Sequence, residues 1–141
     1  MKLTGKILLI DDDQTTLLLI KRYLEGSPYF IHTATEARQG LQILKDNPEI
    51  SLIIVDYMMP HMTGVEVLHA VQDMSPEPFI LLMSSLSKEQ IPSGLHADGF
   101  IKKPISKTNL LEVISKGIQT YSERMSGRKE SPFQQEDGTD S

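Results

Sequence analysis

Three consecutive carboxylates, Asp11, Asp12 and Asp13, follow the apolar run Ile7-Leu8-Leu9-Ile10 without a break. A fourth, Asp56, ends a second run, Leu52-Ile53-Ile54-Val55. Each run has the length and composition of a buried strand, and open parallel sheets gather ligand-binding residues at the carboxyl ends of their strands. If the two strands are neighbours, Asp11, Asp12 and Asp56 converge on one edge. Two unit charges about 4 Å apart repel by roughly 4 kcal/mol at an effective dielectric near 20, so the cluster does nothing for stability by itself. A cation relieves it, and hard carboxylate oxygens suit Mg2+. Asp13 reads as an ordinary acid at a helix start, favoured by the helix dipole.

The rest of the chain narrows the class of protein. Its 141 residues fit one domain with one core. Hydrophobic residues make up 39% and charged residues 23%, as in ordinary globular proteins. A net charge of -5 argues against a nucleic-acid-binding surface, so no nucleic acid is expected as a partner. Cysteine is absent, which excludes disulfides, thiolate metal sites and cysteine nucleophiles. No apolar stretch approaches the roughly 20 residues of a membrane span, and no signal-peptide core precedes the acids. A cytoplasmic protein without membrane contact is the expectation. His32, His61, His69 and His96 show no metal-ligand spacing.

The elements that must position the acids alternate in type. After Asp13, Leu17, Ile20 and Leu24 follow helical spacing until Gly26-Ser27-Pro28. Tyr29-Phe30-Ile31 reads as a short strand. Thr33-Ala34-Thr35-Glu36 matches a capping box and opens a helix carrying Ala37, Leu41 and Leu44. After the central strand comes the loop Met59-Pro60-His61-Met62. A second capping-box match, Thr63-Gly64-Val65-Glu66, then opens a helix with Val67, Val71 and Met74 on one side. Phe79 to Met83 is a fourth strand, ending at Ser84-Ser85. Pro92 and Gly94 leave only a short or broken helix before Phe100-Ile101, the fifth strand. Ser106 caps a last helix with Leu110, Ile114, Ile118 and Tyr121. Five βα units predict a five-stranded parallel sheet with helices on both faces, a flavodoxin-like three-layer α/β fold. From Ser126 the chain holds almost no core-forming residues, so residues 1–125 are expected to form the domain and residues 126–141 a flexible tail or linker.

Four signals therefore stand in order at strand ends: Asp11-Asp12, Asp56, Ser84 and Lys103-Pro104. Over residues 5 to about 124 the chain resembles the receiver domain of two-component response regulators. Val55-Asp56-Tyr57-Met58-Met59-Pro60-His61-Met62-Thr63-Gly64 is close to that family's phosphoacceptor strand and loop, and Ala97-Asp98-Gly99-Phe100-Ile101-Lys102-Lys103-Pro104 to its fifth strand. The resemblance implies that Asp56 takes a phosphoryl group from a sensor histidine kinase or a histidine phosphotransfer protein, forming an acyl phosphate. It implies Mg2+ held by Asp12, by Asp11 through water, by Asp56 and by the backbone carbonyl of Met58. It gives Lys103 a contact to the phosphoryl group and the bond before Pro104 a cis geometry. It makes Ser84 the switching hydroxyl, with Ser85 as the alternative, and Phe100 the aromatic that moves with it. It also places Met58 and Leu86 beside the water that hydrolyses the acyl phosphate. A downstream effector is implied and not identified.

Two departures stand out. The stretch between Ser84 and Lys103 is short for the family and interrupted by Pro92 and Gly94, on the face most receivers use for output. No output domain follows within the 141 residues. Two other readings remain. Asp11-Asp12-Asp13-Gln14-Thr15 fits Asp-x-Asp-x-Thr, resembling haloacid-dehalogenase-type phosphatases with Asp11 as nucleophile and Asp13 as acid/base, but the later acidic pair of that metal site is missing. A receiver that is never phosphorylated and serves only as a binding module is the third.

Overall fold

The structure, a computed structural model, describes residues 4–58, 64–92 and 94–129. Strands β1 (Gly5–Ile10), β2 (Tyr29–Ala34), β3 (Leu52–Asp56), β4 (Phe79–Ser84) and β5 (Gly99–Lys102) form one parallel sheet in the order β2-β1-β3-β4-β5. Helices α1 (Gln14–Tyr23), α2 (Ala37–Asp46), α3 (Gly64–Val71) and α4 (Lys107–Lys129) cover it. This is the expected three-layer fold.

Strand alternation sorts the core into two layers. Ile7, Leu9, Leu52, Ile54, Leu81 and Met83 pack with Leu17 and Ile20 of α1 and Leu110, Ile114 and Ile118 of α4. Leu8, Ile10, Ile53, Val55, Ile80 and Leu82 face Ala37 and Leu44 of α2 and Val67, Leu68 and Val71 of α3. Because both faces are covered, the central strands read as unbroken apolar runs rather than as alternating ones. Each fully buried Leu, Ile or Val contributes roughly 1.5–3 kcal/mol, which locks the register of β1 against β3.

The helix ends follow local chemistry at two starts. Asp13 caps α1 through its side chain, which accepts the Thr15 amide at 2.9 Å. Ser106 caps α4, accepting the Asn109 amide at 3.3 Å. The box at Thr33 to Glu36 does not form. Thr33 and Ala34 stay extended, paired with Leu9 and Ile10, and α2 begins only at Ala37 with no side-chain cap bond from Glu36. The sheet ladder outcompetes the local cap, and the Gln39 side chain instead accepts the Thr35 amide at 3.0 Å. The match at Thr63 lies outside the described residues, as do Met59, Pro60, His61 and Met62.

Two further features concern the last third of the chain. Among the described residues, the segment between β4 and β5 forms a single 3-10 turn, Lys88–Gln90, in keeping with the short or broken helix expected there. Pro92 lacks an amide donor, and Gly94 sits at φ 88°, outside helical geometry. A groove of about 600 Å³ lined by Leu82, Ile91, Leu95 and Phe100 lies there instead. Helix α4 continues to Lys129, into the segment expected to be tail. Extending a formed helix fixes one residue at a time. Arg124 anchors the extension, donating to the carbonyls of Glu77 at 2.8 Å and Pro78 at 3.2 Å and to Asp98 at 2.6 Å.

Helix α4 approaches the sheet closely through Gly117. A Cβ there would lie 2.6 Å from Leu52 Cδ1 and 2.7 Å from the Phe79 ring, both buried. Alanine gains up to about 1 kcal/mol of helix propensity, against roughly 1–3 kcal/mol for overpacking. Gly117→Ala should therefore lower unfolding stability by about 1 kcal/mol in urea titration. A stabilised variant would mean that Leu52 and Phe79 can yield.

Candidate functional site

Register delivers the site residues. Ile10 pairs with Val55, so Asp11 and Asp56 are the next residues on adjacent central strands. Asp56 pairs with Met83, which puts Ser84 one step further along β4. Ser84 pairs with Lys102, which puts Lys103 one step beyond β5. Four strand ends therefore present Asp11, Asp56, Ser84 and Lys103 on one rim. From β1 the chain crosses to β2 on one side and returns to β3 on the other, so the rim above β1 and β3 is a topological switch point.

Side chains then converge. One oxygen from each of Asp11, Asp12 and Asp56 lies within 4.8 Å of the others. Asp11 and Asp56 are buried, and Asp12 is exposed at the crest between them and solvent. The Lys103 ammonium donates to Asp11 Oδ2 at 2.8 Å and stands 3.5 Å from Asp56 Oδ1. Asp11 Oδ1 accepts the Asp13 amide at 2.9 Å. The Lys103 amide in turn donates to the Ser84 carbonyl at 2.8 Å, tying the ends of β4 and β5 together. The Lys103-Pro104 peptide is cis. Tyr23 of α1 braces the same loop, its hydroxyl donating to the Ile105 carbonyl at 3.1 Å.

Burial and mutual repulsion set the protonation of these groups. Burial, then the charge of Asp11, pushes Asp56 from 3.8 up to about 6, against the pull of Lys103. Burial also raises Asp11, though the Lys103 hydrogen bond and the Asp13 amide oppose it. For Lys103, burial favours loss of the proton. The Asp11 hydrogen bond and the charges of Asp11 and Asp56 outweigh it, so the ammonium is held above the ordinary lysine value. The site thus combines a shared cation with an incompletely compensated pair of buried carboxylates.

The donor set fits Mg2+. It is all oxygen, compact and over-charged, and Asp11 retains lone pairs beyond those engaged by Asp13 and Lys103. The other expected residues lie near this centre in different ways. Ser84 is buried, and its hydroxyl oxygen accepts the Leu86 amide at 3.0 Å, whereas Ser85 is exposed. Met58 is exposed two residues beyond Asp56. Phe100 is half-buried on β5, on the face of the open groove. The sequence did not reveal that Lys103 pairs with Asp11, that the Asp13 amide holds Asp11, or that Tyr23 braces the loop. The position of Tyr23 three residues after Ile20, on the buried stripe of α1, was the available hint for the last. The phosphatase-type assignment also meets an obstacle: Asp13, its acid/base, is engaged as the cap of α1, bound by the Thr15 amide and the Thr16 hydroxyl.

Comparison with known proteins gives a consistent family. The family model of the response regulator receiver domain matches residues 7–115. The transcriptional regulatory protein CpxR of Escherichia coli is 33% identical over 109 residues, covering 76% of this chain and 46% of CpxR. The regulatory protein VanR of Enterococcus faecium is 28% identical over 130 residues, covering 91% of this chain and 55% of VanR. The chain thus spans about half the length of these relatives. Among solved structures, Vibrio cholerae chemotaxis protein CheY4 superposes with a TM-score of 0.72 at 26% identity, over 81% of this chain and 98% of that one. A signal receiver domain from Vibrio parahaemolyticus gives a TM-score of 0.80 over 92% of this chain and 99% of that one; at 22% identity it supports the fold alone.

Asp56 makes stability depend on pH in a defined direction. An acid whose folded value is raised holds its proton more tightly in the folded state. Its contribution is complete below the unfolded value and is lost as pH rises through about 6. Two units correspond to about 2–3 kcal/mol. Metal-free protein should lose about that much between pH 4 and 7, Asp11 acting in the same sense. Asp13 and Glu49 are lowered, so their contribution is lost only at the acid side of this window. Asp56→Asn should be the more stable protein at pH 7.5 and should lose most of the slope in denaturant titrations. A variant that keeps the full slope would place its origin elsewhere.

Proposed function

The chain belongs to the response regulator receiver family, and on that premise we propose that it is a phosphoacceptor, with Asp56 as the acceptor. The observation that carries this reading is the meeting of Asp11, Asp12 and Asp56 within 4.8 Å, with the Lys103 ammonium 3.5 Å from Asp56. In this reading an Asp56 oxygen attacks the phosphorus of a phosphohistidine on a sensor kinase or phosphotransfer protein. The P–N bond breaks, its electrons stay with the imidazole, and the product is an acyl phosphate on Asp56. Asp12, Asp56, Asp11 and the Met58 carbonyl would hold Mg2+, which when bound neutralises charge on the phosphoryl oxygens. Lys103 sits where a small movement from Asp11 and Asp56 carries its ammonium to a phosphoryl oxygen.

The switch proposed for Ser84 and Phe100 rests on their surroundings. A phosphoryl group brings roughly two negative charges and strong acceptors. Donation from the Ser84 hydroxyl would pull on the turn it forms with the Leu86 amide. That turn leads into the segment before β5, which among the described residues carries one 3-10 turn and ends beside Phe100. The strain would therefore pass into a connection that no α-helix braces among the described residues. The exposure of Ser85 supports Ser84 as the hydroxyl.

Asp56→Asn should abolish Mg2+-dependent incorporation from acetyl phosphate, read by mass spectrometry of the intact protein. Phosphate found on Asp11 would support the phosphatase-type reading instead. No incorporation into unmodified protein that does bind Mg2+ would leave the binding module.

Hydrolysis of the acyl phosphate should be slow. Met58 and Leu86, the side chains assigned to flank the attacking water, carry no group able to orient or deprotonate it. Met58→Asn or Leu86→Glu should speed decay about tenfold in time courses with Mg2+. Decay within seconds in the parent protein, or no change in either variant, would overturn the shielding argument.

A further inference from the structure

We infer that Asp13, beyond capping α1, is a positioning residue for the metal site, acting through its hydrogen-bonding geometry and not its charge. This rests on the phosphoacceptor reading and adds a residue to it. Asp11 is fully buried, and each of its oxygens has a donor: Lys103 Nζ on Oδ2 at 2.8 Å and the Asp13 amide on Oδ1 at 2.9 Å. Lys103 is a long side chain shared with Asp56, and the proposed reaction would draw its ammonium toward the phosphoryl group. The Asp13 amide is therefore the stationary member of the pair. What keeps that amide stationary is the Asp13 side chain. Its Oδ1 accepts the Thr15 amide at 2.9 Å and its Oδ2 the Thr16 hydroxyl at 3.2 Å, bolting residue 13 to the first turn of α1.

Asp12 lies between these two anchors. Its backbone is held on one side by Asp11, whose amide binds the Ala34 carbonyl at 3.1 Å, and on the other by the capped Asp13. The exposed carboxylate of Asp12 reaches the cluster without a hydrogen bond of its own among those described, so its position follows from its neighbours. Releasing the cap frees the Asp13 amide, allows the Asp11 carboxylate to turn, and moves the crest that carries Asp12. Helix α1 itself is secured by Leu17, Ile20 and Leu24 in the core, so loss of the cap loosens the rim more than the helix.

Charge and geometry predict opposite outcomes for two conservative changes. Asparagine keeps an oxygen at cap distance and loses the charge, whereas glutamate keeps the charge and places it one methylene too far. Mg2+ affinity, measured calorimetrically on the unphosphorylated protein, should fall about fivefold in Asp13→Glu and Asp13→Ala. It should stay within about twofold in Asp13→Asn. Asn47→Ala serves as a stability control. It removes a capping bond to the Ile43 carbonyl at the far end of α2, and should lower the melting temperature while leaving Mg2+ affinity unchanged. Wild-type affinity in the glutamate variant with loss in the asparagine variant would make Asp13 a charge effect and overturn the inference. Equal affinity in all three variants, or an equal loss in Asn47→Ala, would overturn it too. In those cases the wild-type protein still binds Mg2+, so the phosphoacceptor reading survives. A wild-type protein that binds no Mg2+ overturns both.

Discussion

The pairing of Ile10 with Val55 is the constraint from which the rim of this domain follows. Both strands are buried on both faces, so a slip of one residue would drive a row of core side chains into the wrong layer. Hydrophobic packing thus holds the register with an energy far larger than the repulsion it imposes on Asp11 and Asp56. The carboxylates do not choose their separation; the core chooses it for them. Only then does Lys103 matter, as the ammonium that, among the described residues, contacts both at the end of β5.

How much of this was legible in the chain depends on the range of the interaction. The strands and their terminal acids were readable because burial on both faces writes itself as consecutive apolar residues. The caps of Asp13 and Ser106 were readable because capping is local. Thr33 failed for the complementary reason: Thr33 and Ala34 belong both to a local capping pattern and to a non-local ladder, and the ladder won. The pairing of Lys103 with Asp11 joins residues 92 positions apart, and no periodicity reports it. The end of α4 was misjudged because residues 126–129 lack apolar character, while the anchor that extends the helix is Arg124 reaching Asp98 and two carbonyls.

The segment between β4 and β5 shows where sequence gave a warning but not an outcome. Pro92 and Gly94 weaken a helix; they do not dictate what covers the sheet instead. The structure leaves Leu82, Ile91, Leu95 and Phe100 around a groove on the face that α2 and α3 only partly cover. Loops with few covering contacts open at low free-energy cost. The connection is held at its ends by the Ser84 and Leu86 turn and by Asp98 on the Ile80 amide, and between them by the Ser87–Gln90 bonds and by Ile91 and Leu95 against the core, so a switch there would have to act on these few contacts.

Charge balance explains why a single lysine suffices. Three carboxylates and one ammonium leave the cluster with two formal negative charges, the charge of one divalent cation. A second lysine would weaken the attraction for a cation; none at all would leave Asp11 and Asp56 to take up protons, which in the proposed reading would disable Asp56 as a nucleophile. The rise of Asp56 to about 6 shows how near the site already lies to that second state. In the proposed reading, phosphoryl transfer would exchange one negative charge on Asp56 for roughly two, so a site balanced by a divalent cation would become negative again and draw on whatever donors can reach it. Among the described residues, Lys103, shared between two acids, and the Ser84 hydroxyl, which accepts the Leu86 amide, are groups with donor capacity to give. The electrostatic demand that phosphorylation would create at Asp56 would therefore fall on the ends of β4 and β5, beside a connection that carries one 3-10 turn among the described residues.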